Sequence, residues 1–201
     1  MEKVDLLIKN AYLVTMDKAR NINDEYGIAI KDDKILDLGP TKTIEEKYQA
    51  QKVIDAKDRF VFPGFVNTHS HLFQVLLKGL GRDKLLYDWL DSSVRRAIAH
   101  IDPEAAYYAA LVGCIENLRS GCTTILDYQY CHGKLGIDDA VMQAFEDLGI
   151  RAILGRGHTK VSGFPPGCTC EIDETEEMFF NDVERLAKKY ANHPRIGVAI
   201  S

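Results

Sequence analysis

Residues 62–71 read Phe-Pro-Gly-Phe-Val-Asn-Thr-His-Ser-His, an apolar run that leads into two histidines one residue apart. On an extended strand, residues i and i+2 point to the same face, so His69 and His71 can present both imidazoles at the carboxyl end of one strand. Imidazole nitrogens are common ligands of transition metals, and two on one face can bind the same ion. The pattern predicts a metal site; two surface histidines without a ligand are the structural alternative.

From Phe60 onward, short apolar runs alternate with amphipathic segments, which predicts βαβ units and an α/β fold with a parallel sheet. Each predicted strand is nearly continuous in apolar residues, as expected where both faces of a sheet are covered; the strands are 60–67, 123–128, 151–156 and 195–200. Helix start and stop signals place four helices between the strands. They are residues 85–99 with Trp89, a helix from Asp102-Pro103 to Gly121, one from Asp138 to Gly149, and one opened by Asp173 with Glu176 as a capping box.

Upstream of the motif, the chain alternates apolar and polar residues around Val4, Ile28, Ile35 and Val53, which is typical of half-buried strands. Such a segment predicts a small antiparallel β unit that is too thin to close a core by itself. Pro63-Gly64 marks the transition to the second pattern. We therefore expect two domains, residues 1–58 and residues 59–201.

Composition excludes several classes of protein. Of the 201 residues, 46% are hydrophobic and 27% charged, which is typical of a globular protein. The net charge of −5 and the lack of a basic block argue against nucleic acid as a partner. No apolar run approaches the ~20 residues needed to span a bilayer, and the first residues do not resemble a signal peptide, so we expect no membrane association and a cytoplasmic location. Five cysteines form no disulfide framework and are interpreted as reduced, structural thiols.

Residues 62–80 resemble the amidohydrolase superfamily, in the branch that contains triazine hydrolases, S-adenosylhomocysteine and methylthioadenosine deaminases, and 8-oxoguanine deaminases. Trp89-Leu90, the Ser-Gly-Cys-Thr-Thr of residues 120–124 and residues 149–157 extend the resemblance over essentially the whole chain. It implies a metal-dependent (β/α)8 TIM barrel and a small β-sandwich subdomain built from both chain ends. Because such a barrel needs ~250 residues and eight strands, we expect residues 59–201 to form its first half and residues 1–58 an incomplete sandwich.

The resemblance also implies one metal ion, Zn or in some members Fe, held by His69, His71, a histidine of the fifth strand and an aspartate of the eighth. A water activated by the metal attacks the ring carbon that bears an amino group, and ammonia leaves. Only His69 and His71 can be mapped, so the remaining ligands and the acid and base groups are expected beyond Ser201.

Four residues are candidate substrate contacts: Gln74, Trp89, Arg156 and His158. Gln74 matches a position that touches the heterocycle in oxopurine-type relatives, and an amide can both donate to and accept from a ring lactam. Arg156 ends the third strand, where relatives use an arginine near the substrate. The alternatives are a surface glutamine, a core tryptophan, an arginine that braces a barrel loop, and a histidine that lies at the surface or acts through neighbouring groups.

Together these features predict a hydrolytic deaminase of a small heterocycle such as a purine, pterin or triazine, forming a homo-oligomer in its full-length form. Nucleoside deaminases of this branch tend to carry a glutamate near Ile98, and its absence tilts the expectation toward a free base. An S-adenosylhomocysteine-type nucleoside deaminase, a cyclic amidase and a catalytically inactive short chain remain alternatives. The cyclic amidases use a carboxylated lysine on the fourth strand, and residues 195–200 contain none.

Overall fold

The computed structural model describes residues 1–158, 160 and 164–201. The chain divides into two compact units, Met1–Pro63 and Gly64–Ser201. The division lies at the Pro-Gly break rather than after residue 58, because Phe60–Val61 pairs with the first strand of the chain. The predicted strand 60–67 is therefore wrong in its start: the strand of the second unit begins at Phe65.

The first unit is a mixed sheet with one helix. Its elements are β1 (Glu2–Val14), β2 (Ile22–Lys31), β3 (Lys34–Pro40), α1 (Thr41–Lys47), β4 (Tyr48–Asp55) and β5 (Phe60–Val61). The strand order is β3-β2-β1-β4, with β5 also pairing with β1. Strands β1, β2 and β3 are antiparallel as predicted, but β4 and β5 run parallel to β1. Helix α1 makes this possible, since a parallel neighbour needs a crossover connection. One sheet and one helix are described, so the sandwich stays a prediction.

The second unit confirms the predicted α/β fold. Its four strands are parallel, in the order β6-β7-β8-β9, and all the helices of this unit lie in the connections. The strands are β6 (Phe65–Ser70), β7 (Cys122–Gln129), β8 (Arg151–Arg156) and β9 (Ile196–Ile200). The helices are a 3-10 helix (Leu72–Leu77), α2 (Leu86–Trp89), a π-helical turn (Leu90–Val94), α3 (Arg95–Ile98), α4 (Pro103–Arg119), α5 (Ile137–Leu148) and α6 (Glu176–Tyr190).

Helix boundaries follow local chemistry. Asp102 caps α4 as predicted, because its Oδ1 accepts from the amide of Ala105 at 2.8 Å. Helix α5 is preceded by Gly136 and ends at Gly149, both left-handed, so the predicted end is confirmed while the start lies before Asp138. The predicted capping box at Asp173 is wrong. Thr175 caps α6 instead, and its Oγ1 accepts from Met178 N at 3.2 Å.

The main core lies between one face of the parallel sheet and its helices. Alternate residues of β7 and β8 face this layer and are fully buried, as their positions at i and i+2 require. The core includes Ile125, Ala152, Leu154, Ile196, Ala110, Cys114, Val141, Phe145 and Leu186. All five cysteines are free thiols, and Cys114 and Cys131 are buried. None of the described helices combines the length and the apolar character required to cross a bilayer.

Candidate metal centre

His69 and His71 lie together at the carboxyl end of β6, as the strand pattern predicts. His69 is within the strand and His71 follows its last residue. The centroids of their rings are 5.3 Å apart, and the ring planes are inclined at 76°. Two imidazoles therefore meet at the end of the sheet where active sites of parallel barrels lie.

The tautomer of His71 is fixed by its surroundings. Its Nδ1 lies 2.9 Å from the carbonyl oxygen of Tyr128. A carbonyl oxygen only accepts, so Nδ1 carries the hydrogen and donates it, which leaves the lone pair of a neutral ring on Nε2. The rings of Tyr128 and Tyr130 lie 5.4 and 5.2 Å from the His71 ring and hold its orientation. Metal-ligating histidines usually donate their other ring N–H in this way, so His71 has the form of a ligand.

The backbone of His69 is held by a chain of amides. Its N–H donates to Asn67 Oδ1 at 3.1 Å, and Asn67 Nδ2 donates to Asn117 Oδ1 at 2.9 Å. Asn117 Nδ2 donates in turn to the carbonyl of Gly113 at 2.8 Å. Both Gly113 and Asn117 belong to α4, so the strand end that carries His69 is tied to that helix.

Asp127 supports the segment after His71. Its side chain is fully buried, and Oδ1 accepts from the amide of Leu72 at 2.7 Å. Within the described part of the chain, its Oδ2 has no hydrogen-bond partner. Burial raises the pKa of Asp127 to about 7, the Leu72 hydrogen bond opposes this increase, and the charge of Asp138 adds to it. Asp127 therefore changes protonation near neutral pH.

These residues fit a metal ion as part of a ligand set. His69 and His71 offer two imidazoles, whereas a tetrahedral zinc site needs four ligands. Residues 1–158, 160 and 164–201 contain no group of three or more His, Cys, Asp or Glu side chains that could hold a metal. The donor chemistry suits Zn or Fe, and two further ligands are required.

Gln74 is brought close to the histidines through Tyr130. Its Nε2 donates to the Tyr130 hydroxyl at 2.6 Å, and the Tyr130 ring also contacts Phe73 with centroids 4.9 Å apart. Burial raises the pKa of Tyr130 to about 12, so this phenol is neutral at physiological pH. Sequence reasoning did not single out Tyr128 or Tyr130. Their alternate positions at the end of the second apolar run were the available signal, because residues two apart share a face.

Trp89 packs against the main core and is partly buried. Its indole Nε1 is buried without a hydrogen-bond partner among the described residues. A Cβ built on Gly81 would lie 2.8 Å from the indole ring, so a glycine is needed where the chain passes Trp89. Trp89 therefore has a core position and a buried indole N–H without a partner among the described residues.

Arg156 lies in a separate, buried cluster of charges on the helix side of the sheet. Its Nε lies 2.7 Å from Asp138 Oδ2 and 3.3 Å from Asp182 Oδ2, and its Nη2 pairs with Glu174. Its Nη1 donates to His132 Nδ1 at 3.0 Å. Burial lowers the pKa of Arg156, but the Glu174 hydrogen bond and the surrounding carboxylates outweigh this and raise it above its ordinary value.

His158 joins the same cluster. Its Nε2 lies 2.9 Å from the carbonyl oxygen of Glu174 and therefore carries the hydrogen. Its ring lies 5.5 Å from Phe179, over which the Arg156 guanidinium also sits at 5.4 Å. The structure thus groups Gln74 with the two histidines, and groups Arg156 with His158.

The amidohydrolase family model matches residues 60–199. Since this is more than half of the chain, the chain belongs to the amidohydrolase family. Among curated proteins, it is 35% identical over 193 residues to a 5-methylthioadenosine/S-adenosylhomocysteine deaminase of Aquifex aeolicus. The aligned region covers 96% of this chain and 40% of that protein. It is 36% identical over 153 residues to a 5'-deoxyadenosine deaminase of Methanosarcina mazei, covering 76% of this chain and 33% of that protein.

Solved structures with the same fold include other deaminases. An adenosine deaminase from Xanthomonas campestris with bound zinc superposes with a TM-score of 0.84 at 23% identity, over 99% of this chain and 43% of that one. The guanine deaminase of E. coli gives 0.75 at 21% identity, over 96% of this chain and 45% of that one. The chain therefore spans less than half the length of these proteins.

Proposed function

We propose that the natural protein carrying this chain is a metal-dependent hydrolytic deaminase of amino-substituted nitrogen heterocycles. The observation that carries the proposal is the His71 tautomer: Nδ1–H is committed to Tyr128 O, so Nε2 is left to bind a metal beside His69. Family membership supports the same reading. A Zn or Fe ion at this position would supply Lewis-acid activation of water, which is the chemistry that hydrolytic deamination requires.

In this proposal the chain's own residues bind and orient. His69 and His71 hold the metal, and Tyr128 keeps His71 in its ligating tautomer. Gln74 and Tyr130 form a polar edge for a flat heterocycle, and the partly buried ring of Trp89 offers an aromatic wall. The reaction replaces the exocyclic amino group by an oxygen and releases ammonia.

Adenosine-type nucleosides are the substrate class that we favour. The two curated relatives described above are both named as deaminases of adenosine derivatives. The expectation of a free base depended partly on Ile98, but Ile98 is only 2% exposed and belongs to the main core. A residue in that position cannot report on the substrate, so its identity no longer favours a free base.

The contacts of Arg156 and His158 favour a bracing role for both residues. The guanidinium donors of Arg156 are already engaged by Asp138, Glu174 and His132. This supports the alternative in which Arg156 is a bracing residue, bonded to Gly157 and Glu174, with His158 attached through Glu174. Direct substrate contact by either residue stays a prediction.

The proposed architecture is a (β/α)8 barrel. Four parallel strands in sequential order, each joined to the next by helices, are what the first half of such a barrel requires. In the same proposal, the first unit contributes one sheet of a small β-sandwich, and the complete protein forms a homo-oligomer.

The test uses the natural protein, loaded with Zn²⁺, and measures bound metal together with ammonia release. Substrates are adenosine, 5'-methylthioadenosine, S-adenosylhomocysteine, guanine and a triazine. We expect about one metal ion per chain and turnover of at least one nucleoside. His71→Ala should lose both metal and turnover, while His100→Ala, at an exposed histidine, should keep both. Full metal content in His71→Ala would contradict the proposed site.

A further inference from the structure

We infer that Asn67 and Asn117 are positioning residues for His69, acting as an amide relay that fixes the strand end against helix α4. The inference rests on the proposed function, because it concerns a metal ligand. The relay consists of four groups in series: the His69 N–H, the two asparagine amides and the Gly113 carbonyl.

The chemistry at the two ends of the relay fixes the orientation of both amides. The His69 N–H can only donate, so the Asn67 oxygen must face it and the Asn67 nitrogen must face Asn117. The Gly113 carbonyl can only accept, so the Asn117 nitrogen must face it and the Asn117 oxygen must face Asn67. Both requirements are met at once. The relay therefore has one consistent arrangement of hydrogen bonds.

The relay lies where the regular ladder between β6 and β7 is interrupted. Asn67 is in register with Ile125 and Ser70 with Asp127, with a register irregularity between these two pairs. His69 lies inside this irregular stretch, where the regular ladder cannot set its position. The Asn67 side chain supplies the acceptor for its N–H instead.

Helix α4 is a suitable base for the relay because it lies very close to the segment after His71. A Cβ on Gly113 would come 2.5 Å from Leu72 Cδ2, so the glycine leaves room for the Leu72 side chain where it lies. Gly113 thus accepts the last hydrogen bond of the relay and also admits Leu72, the residue next to His71. One turn of α4 therefore contacts the chain on both sides of the proposed ligand pair, at the Asn67 amide and at the Leu72 side chain.

The test measures the affinity of the natural protein for Zn²⁺ alone, by competition with a chromophoric chelator. Asn67→Leu and Asn117→Leu keep side-chain volume and remove the relay, and each should weaken Zn²⁺ binding by about tenfold. The double variant should be no weaker than either single variant, because both interrupt the same series of bonds. Asn181→Leu, at an exposed position of α6, is the matched control and should bind as the unsubstituted protein does.

Conservative variants separate positioning from folding. Asn67→Asp keeps an acceptor for the His69 N–H but opposes an oxygen to Asn117 Oδ1, so it should bind Zn²⁺ less tightly than the unsubstituted protein and more tightly than Asn67→Leu. Asn117→Asp keeps volume and polarity but opposes an oxygen to the Gly113 carbonyl, so it should weaken Zn²⁺ binding even if the leucine variants fail to fold.

Two outcomes overturn the inference in distinguishable ways. If His69→Ala loses Zn²⁺ while all asparagine variants bind within about twofold of the unsubstituted protein, the metal site stands and the relay is irrelevant to it. If His69→Ala and His71→Ala bind Zn²⁺ as tightly as the unsubstituted protein, the proposed site fails, and the relay positions no ligand.

Discussion

At the scale of single residues, the buried carboxyl group of Asp127 makes the stability of the protein depend on pH. Burial raises its pKa from an ordinary value of 3.8 to about 7, so the folded protein holds a proton there that the unfolded chain has lost. The resulting stability is complete below pH 3.8 and is lost progressively as the pH rises to about 7. The loss is on the order of a few kcal/mol.

Asp127→Asn tests this dependence. The amide oxygen can still accept from Leu72 N–H, but the side chain cannot ionise. We expect the variant to be more stable than the unsubstituted protein at pH 8 and similar to it at pH 4, as measured by urea unfolding across that range. Two parallel curves of unfolding free energy against pH would show that Asp127 does not titrate in this interval.

The histidine pair could be found from the sequence because strand geometry alone places i and i+2 on one face. The groups that hold the two histidines in place could not be found from the sequence. Tyr128 lies 57 positions from His71, and Asn117 lies 50 positions from Asn67. Such contacts depend on how β7 and α4 pack against β6, which no local pattern reports.

At the scale of elements, the start of α4 could be predicted from the sequence, whereas the start of α6 could not. Asp102 is followed by Pro103, and both act at the start of α4. For α6, both Asp173 and Thr175, two positions further along the chain, are residue types that can cap a helix. The amides of Glu171 and Ile172 are bonded to Gly133 O at 3.0 and 3.3 Å, which holds the preceding segment in a loop, and α6 begins after Thr175.

Asp102→Ala should destabilise the second unit by about 1 kcal/mol, because the amide of Ala105 loses its acceptor at the start of α4. Chemical unfolding followed by circular dichroism provides the measurement. Asp102→Asn keeps a capping oxygen and should cost no more than a few tenths of a kcal/mol. Equal losses in the two variants would assign the effect to charge rather than to the cap.

At the scale of the whole molecule, the class of fold was accessible because apolar strands and capped helices alternate along residues 60–200. The mixed sheet of the first unit could not be predicted, because the direction of β4 depends on the short helix α1. The seven residues of α1 carry no clear helical signal. The direction of β4 is therefore determined by the connection through α1 that brings it beside β1.

Strands β6 and β9 each have a single partner in the described sheet, and apolar side chains such as Val66, Ile153 and Ile200 are exposed. Parallel sheets are normally covered on both faces, and open edges can pair with other chains. The 201-residue polypeptide, produced by itself, should therefore self-associate as its concentration rises, which light scattering can follow.

Ile200→Lys places a charge on the β9 edge and should reduce this association. Leu135→Lys is the matched control, because Leu135 is equally apolar and 74% exposed but lies outside the strands. A polypeptide that stays monomeric at all concentrations, or an equal effect of both lysines, would show that the edges do not drive association.

The π-helical turn at Leu90–Val94 has a consequence for comparing this chain with its relatives. In a π turn the backbone hydrogen bonds join residues i and i+5, whereas in an α turn they join i and i+4. A π turn therefore accommodates one extra residue within an otherwise α-helical segment. A relative whose helix is α throughout would have a one-residue deletion at this point. Counting outward from Trp89 then matches each later position, including Ile98, with the wrong neighbour, until a gap is placed within residues 90–94.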